Sequence, residues 1–368
     1  MLRTPTHGFT FGLALSLAAG GATFALPAMA ADSFTLKDKP KIAMLYFGPK
    51  NDGGWTQAFD EARAKVEKEI GQKIQFVENV PEDASAIKPA AEKFIQRGAN
   101  IVIGTAFGYS DSFKDLAAKY PGVAFLNGSG TTNGSNLESF YGRTYESQYL
   151  CGMAAGAASK TGKLGFVAAN PFGVVNWTIN AFALGAQKMN PNATVNVIYT
   201  GAWNDPVKER AAAAALIDQG ADVIMQHTDS PAAMQIASER GKLAFGQDSE
   251  MIKFGPKTQL TSILDTWGPY YIERVKAELA GTWKSEDTWG GLDSHMFAMA
   301  PYTNMPDDVK KLAEDAEAKI KSGELKPFTG PLKKQDGSEW LAAGATSDDG
   351  TLLGMNFYVE GVDDQLPK

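Results

Sequence analysis

Lys41-Ile42-Ala43-Met44-Leu45-Tyr46-Phe47 runs straight into Gly48-Pro49-Lys50-Asn51-Asp52-Gly53-Gly54-Trp55-Thr56. Strand-forming apolar residues give way to a Gly/Pro/Asn/Asp cluster, and a helical pattern opens near Trp55. Strand, loop and helix in that order begin an α/β sheet, whose ligands sit beyond the carboxyl ends of the strands. The loop offers two glycines for close backbone approach, the Asp52 carboxylate and the flat indole of Trp55. An ordinary turn with a Trp packed beneath it has the same composition, so the loop alone leaves both readings open.

The same alternation continues along the chain. Apolar runs occur at 42–47, 74–77, 101–103 and 123–126, then at 164–168, 195–199, 223–226, 243–245 and 260–264. Amphipathic stretches lie between them, at 57–70, 84–97, 110–120, 148–160, 177–189, 206–219, 231–240 and 269–280. Short apolar strands separated by helices predict an α/β fold with doubly wound, mostly parallel sheets covered on both faces. Arg97-Gly98-Ala99-Asn100-Ile101-Val102-Ile103 is echoed by Gln219-Gly220-Ala221-Asp222-Val223-Ile224-Met225, each a helix ended by Gly with a strand at once behind it. Two lobes of one architecture are expected: 32–161 with about 266–295, and 162–265 with about 296–368. The region after residue 300 is less regular. It holds a charged surface helix at 307–322 and short strands and turns at 326–332 and 350–362.

Residues 1–30 read as an export signal. Arg3 and His7 precede an uncharged apolar run from Phe9 to Leu26, and Ala28-Met29-Ala30 is an A-x-A cleavage site. Cleavage after Ala30 places the chain in a periplasm, and no cysteine follows the site to carry a lipid. The single cysteine, Cys151, excludes an internal disulfide, so stability must come from a large core. The formal charge of −7, one unit more negative without Arg3, argues against nucleic acid or an anionic membrane as partner.

Enzyme motifs are absent. The chain has three histidines, of which His227 and His295 stand apart without metal-ligand spacing. No G-x-S-x-G, H-E-x-x-H, Walker A or G-x-G-x-x-G pattern occurs in a suitable context. No metal or cofactor is expected.

The segments behind the strands hold the chemistry. They carry Asn51, Asp52, Trp55 and Thr56; Thr105 to Asp111, including Phe107; Asn127; Asn170 to Trp177, including Asn176; Trp203 to Asp205; His227 to Ser230; and Asp248. Aromatics, amides and carboxylates dominate, with Lys50 the one basic residue. Flat plates plus hydrogen-bonding groups suit a planar, neutral heterocycle. An anion would call for Arg, Lys or an aimed helix N-terminus.

Asn51-Asp52-Gly53-Gly54-Trp55-Thr56-Gln57, Gly142-Arg143-Thr144-Tyr145-Glu146, Tyr149-Leu150-Cys151-Gly152, Gly162-Lys163-Leu164-Gly165-Phe166-Val167, Tyr199 to Pro206 and Gly246-Gln247-Asp248-Ser249 together resemble the Bmp/PnrA-like family of ABC-importer substrate-binding proteins. That family binds purine nucleosides and related compounds. The resemblance implies a two-lobed periplasmic-binding-protein clamshell of type I, with one ligand between the lobes and a permease in the inner membrane as partner. It places Trp55 and Trp203 at the two stacking positions, where the family commonly has Phe. Thr56 stands at a usual Asn. Asp111 matches an acid that can read the base edge, and Asp248 an acid associated with sugar hydroxyls. A Lys that helps hold ribose is commonly found beyond the strand at 260–264, where this chain has Asp265-Thr266-Trp267. Its loss points to a free base (adenine, hypoxanthine or guanine) ahead of a nucleoside, bound by a monomer. The expected site is Asp52, Trp55, Thr56, Phe107, Asp111, Asn127, Asn176, Trp203, Asp248 and Asp265. A clamshell for another aromatic or sugar-like solute, a sensor subunit and a periplasmic hydrolase are the alternatives.

Overall fold

The strand of the opening segment, β1 (Ile42–Leu45), is buried along its whole length. It lies between β2 (Gln75–Val77) and β3 (Ile101–Gly104), parallel to both. The computed structural model describes residues 34–286, 288–294 and 296–367. The expected signal segment and His295 lie outside the described residues.

With β4 (Ala124–Gly128), β5 (Leu137–Gly142) and β11 (Thr288–Gly290), these strands form a parallel sheet in the order β11-β5-β4-β3-β1-β2. A second sheet holds β6 (Lys163–Ala168), β7 (Thr194–Tyr199), β8 (Val223–His227), β9 (Leu243–Gly246), β10 (Gln259–Asp265) and β12 (Phe297–Met299), in the order β12-β10-β9-β8-β6-β7. Only β12 runs antiparallel to its neighbour. The two orders are the same pattern: second strand, first, third, fourth, fifth, then a late edge strand. The sequence echo between the halves is therefore an echo of topology. In each sheet the order reverses beside the first strand, at β1/β3 and at β6/β8, and ligand crevices form at such switch points. A small hairpin, β13 (Leu332–Lys333) with β14 (Glu339–Leu341), completes the strands.

Helices α1 (Trp55–Ile70), α2 (Ala84–Gln96) and α3 (Ser110–Lys119) accompany the first sheet, and α5 (Gly173–Met189), α6 (Pro206–Asp218) and α7 (Ala232–Glu239) the second. Two connecting helices cross over. α4 (Thr144–Ala158), expected with the first half up to residue 161, packs instead on α5. The chain thus reaches the second half one helix earlier than the sequence indicated. The cause is close fit: a Cβ at Gly152 would strike the Phe182 carbonyl oxygen, and one at Gly185 the Tyr149 carbonyl oxygen. α8 (Trp267–Ala280) returns to the first half and packs on α1, with Trp267 stacked on Phe59 at 5.6 Å.

β5 escaped the sequence reading because Glu138 interrupts its apolar run. The structure buries that charge against the Arg274 guanidinium, with Tyr270 Oη donating to it at 2.7 Å and Thr288 Oγ1 at 2.8 Å. The C-terminal region holds the expected surface helix, α9 (Asp307–Lys321). It also holds a short helix, α10 (Asp349–Leu353), where strands and turns were expected; Asp348 caps it by accepting from Thr351 N at 2.8 Å.

Candidate functional site

The carboxyl ends of β1 and β3 are tied together by one side chain. Thr105 Oγ1 donates to the Leu45 carbonyl at 3.1 Å and accepts from Phe47 N at 3.1 Å. This switch point and its counterpart at β6/β8 open on the same cavity, of about 280 Å³. The first half contributes Phe47, Trp55, Thr105, Phe107, Phe140 and Tyr141 to the wall, and Trp289 of β11 joins them. The second half contributes Val174, Trp203, His227, Asp229 and Asp248, with Leu353 of α10 at the rim.

Trp55 is locked from behind. Its Nε1 donates to the Thr105 carbonyl at 2.7 Å, and its ring meets Phe59 edge-on at 4.9 Å and Trp267 at 6.0 Å. Asp52 sets the helix that carries it. The carboxylate accepts from the backbone N–H of Gly54, Thr56 and Gln57 at 2.9–3.0 Å, satisfying the free donors of the first turn. Trp203 lies opposite in chain terms, on the loop behind β7. It packs on Phe172 at 6.1 Å and on His227 at 6.1 Å, and its carbonyl accepts from Asp229 N at 2.9 Å.

His227 is neutral at ordinary pH, because burial lowers its pKa to about 4. Its Nδ1 meets Thr178 Oγ1 at 3.0 Å, and that hydroxyl already donates to the Val175 carbonyl at 2.7 Å. Nδ1 therefore carries the ring proton and Nε2 is left as an acceptor. Asp229 and Asp248 line the same cavity. Burial raises Asp248 to about 7, with Asp52 adding to the rise and the Gln247 amide opposing it. Asp229 and Asp265 are pushed well above the carboxylate range, again by burial first and by Asp248 next. Tyr141 is raised by burial and by these same acids. No lysine or arginine is among the described residues of the wall.

The expected site residues divide. Trp55, Phe107, Trp203 and Asp248 stand on the wall. Asp52 caps the first turn of α1 and Thr56 is a buried neighbour. Asn127 is fully buried, both its amide atoms without a partner among the described residues, and lies against Gly130 of the wall. Asp265 donates its N–H to the Asp248 carbonyl at 2.8 Å, while both carboxyl oxygens lack partners among the described residues. Two residues are elsewhere. Asp111 is exposed in the first turn of α3, because a turn of 3-10 helix at 107–109 separates it from β3 and carries it outward. Asn176 is spent inside α5: its Nδ2 donates to the Met355 carbonyl at 2.9 Å and its Oδ1 accepts from Tyr199 Oη at 2.9 Å. Asp229, which follows β8 as Asp248 follows β9, belongs to the 227–230 segment named from the sequence but not to the expected site set, and it stands on the wall. Tyr141 and Trp289 were out of reach, since they meet through the pairing of β11 with β5.

Residues 39–327 match the Bmp family, ABC transporter substrate-binding protein PnrA-like. A purine-binding protein of Brucella abortus is 52% identical over 334 residues, covering 90% of this chain and 95% of that protein. A putative ABC transporter glucose-binding protein of Haloferax volcanii is 33% identical over 328 residues, covering 88% and 81%. Among solved structures, an ABC transporter solute-binding protein from Conexibacter woesei superposes with a TM-score of 0.65 at 25% identity, covering 78% of this chain and 98% of that one. One from Aeropyrum pernix reaches 0.69 at 17% identity, covering 85% and 95%.

Proposed function

Because the chain belongs to the Bmp family of PnrA-like ABC transporter substrate-binding proteins, which bind solutes without turning them over, we propose that its solute is a purine-type nucleobase held between Trp55 and Trp203. The observation that carries this reading is the wall itself. Indoles from both halves, a neutral His and buried acids line it, and among its described residues no lysine or arginine is there to receive a phosphate or carboxylate. The name of the Brucella relative supports the same class. Adenine and hypoxanthine are the first candidates and guanine the next, ahead of nucleosides, since Asp265 stands where the family commonly places a ribose-binding lysine.

The two halves act as lobes, opening about the three chain crossings near 142–144, 265–267 and 290–297. A base enters, stacks on one indole and is covered by the other. Each stack contributes roughly 1–3 kcal/mol. A micromolar complex needs about 8 kcal/mol, so desolvation and hydrogen bonds to the acids, amides and His227 supply most of the rest. The closed form is presented to a permease from the periplasmic side, after removal of residues 1–30.

The test is a thermal-shift screen of nucleobases, nucleosides and sugars, in which binders raise the melting temperature by mass action. Purine bases are expected to give the largest shifts, and Trp55→Ala and Trp203→Ala should each abolish them while the protein stays folded. A dominant response to glucose would favour the solute in the name of the Haloferax relative and end the purine reading.

A further inference from the structure

Asp229 is the acid on the wall that no donor among the described residues answers. It is 5% exposed, and no hydrogen bond to its carboxyl occurs among the described residues. Its backbone holds it in place: the N–H is bonded to the Trp203 carbonyl at 2.9 Å, and the carbonyl abuts Gly54, where a Cβ would collide with it.

The charged groups that bear on it are all acids, and two of them, Asp248 and Glu82, share the cavity wall with it. The four are Asp248 behind β9, Asp52 ahead of α1, Glu209 on α6 and Glu82 ahead of α2. All four of these already have donors, Glu82 accepting from Gly108 N at 2.7 Å. Asp52 holds the first turn of α1, Glu209 accepts from Thr228 Oγ1 at 3.1 Å and Ser230 Oγ at 2.5 Å, and Asp248 accepts from the Gln247 amide. Asp265 behind them adds a further unpartnered carboxyl, and His227 brings no positive charge. Interacting carboxyls without a cation cannot all ionise, and those lacking donors retain their protons most readily; of these Asp229 stands on the cavity wall and Asp265 does not.

We infer that Asp229 reads the edge of the bound base as a neutral carboxylic acid, its O–H donating one hydrogen bond and its C=O accepting another. The ligand class is then a heterocycle with a donor and an acceptor side by side. Adenine offers an amino group beside a ring nitrogen, and hypoxanthine a ring N–H beside a carbonyl. An ionised carboxylate would demand two neighbouring donors instead. The inference rests on the base-binding reading and names the group that reads the edge. Burial acts in the same direction, raising the Asp229 carboxyl well above its ordinary range.

Asparagine separates the two states, because its side chain is a permanent donor beside an acceptor in the same shape. Adenine and hypoxanthine are titrated calorimetrically into the wild type, Asp229→Asn and Asp229→Ala between pH 5 and 9. At pH 6 the Asn variant should bind within about threefold of the wild type, and the Ala variant at least tenfold more weakly. Toward alkaline pH the wild type should lose affinity more steeply than the Asn variant, whose remaining slope belongs to Asp248. An Asn variant as weak as the Ala variant, or a slope equal to the wild type's, overturns the neutral acid and leaves base binding standing. A wild type that binds neither base overturns both. Should the Ala variant fail to fold, the comparison of pH slopes decides alone.

Discussion

Asp248 shows how a buried carboxyl on the cavity wall is maintained at a cost to stability. Its φ of 65° lies in the left-handed region, which Asp and Asn tolerate better than most residues. In the folded chain its pKa is raised from 3.8 to about 7. A raised acid contributes its full stability below the unfolded value, near pH 4, and loses it progressively as pH rises to about 7. A tenfold change in an ionisation constant is worth about 1.4 kcal/mol, so the loss at pH 8 is a few kcal/mol. Asp248→Asn keeps the backbone conformation and removes the titration. The ligand-free variant should melt several degrees above the wild type at pH 8 and level with it at pH 4, as read by circular dichroism. Equal melting curves at both pH values would show Asp248 to be freely hydrated. The wall positions of Trp203, Phe107 and Asp248 were legible in the sequence because each follows a strand closely, where chain direction leaves little freedom, and that of Trp55 because it opens α1 directly behind the β1 loop. Asp111 and Asn176 lie inside the first turns of α3 and α5 and are turned to other faces, away from the wall. Asp229 follows its strand as Asp248 does, but only Asp248 was also marked by the family resemblance.

At the level of elements, the seam between α4 and α5 is set by backbone contact more than by large side chains. α4 is buried on nearly all sides from Thr144 to Gly156, so its amphipathic signal is weak and its partner could not be inferred from periodicity. Replacing a helical glycine by alanine ordinarily gains about 1 kcal/mol. At Gly152 the added methyl would press on the Phe182 carbonyl, and overpacking of this kind costs typically 1–3 kcal/mol. The second effect should win, so Gly152→Ala lowers the melting temperature by a few degrees. An unchanged or higher value would mean that α5 yields freely. The strands were easier to read, because those buried on both faces are short uninterrupted apolar runs. β5 is the exception, and its Glu138 is intelligible only with Arg274, 136 residues later in the chain.

For the whole molecule, contacts between the halves define the conformation. Ser249 Oγ donates to the Gly54 carbonyl at 2.7 Å, and Phe107 stacks on Phe172 at 5.8 Å although both remain more than a third exposed. These contacts join loops behind strands of different sheets, so any opening of one half from the other would break them all. Gly54 is the sharpest probe, because no side chain fits between its Cα and the Asp229 carbonyl in this arrangement. If the halves open as lobes, Gly54→Ala meets its obstacle only on closing. The ligand-free variant should then melt like the wild type, bind adenine at least tenfold more weakly, and fail to contract on adding adenine in small-angle scattering, where the wild type contracts. If the halves are instead rigidly joined, the collision is present at all times. The ligand-free melting temperature then falls, and neither protein changes its radius of gyration with ligand. Phe107→Ala and Phe172→Ala act on the same equilibrium more gently: loss of a stacked pair worth ~1 kcal/mol should speed adenine release several-fold in stopped-flow fluorescence, with little change in the rate of capture.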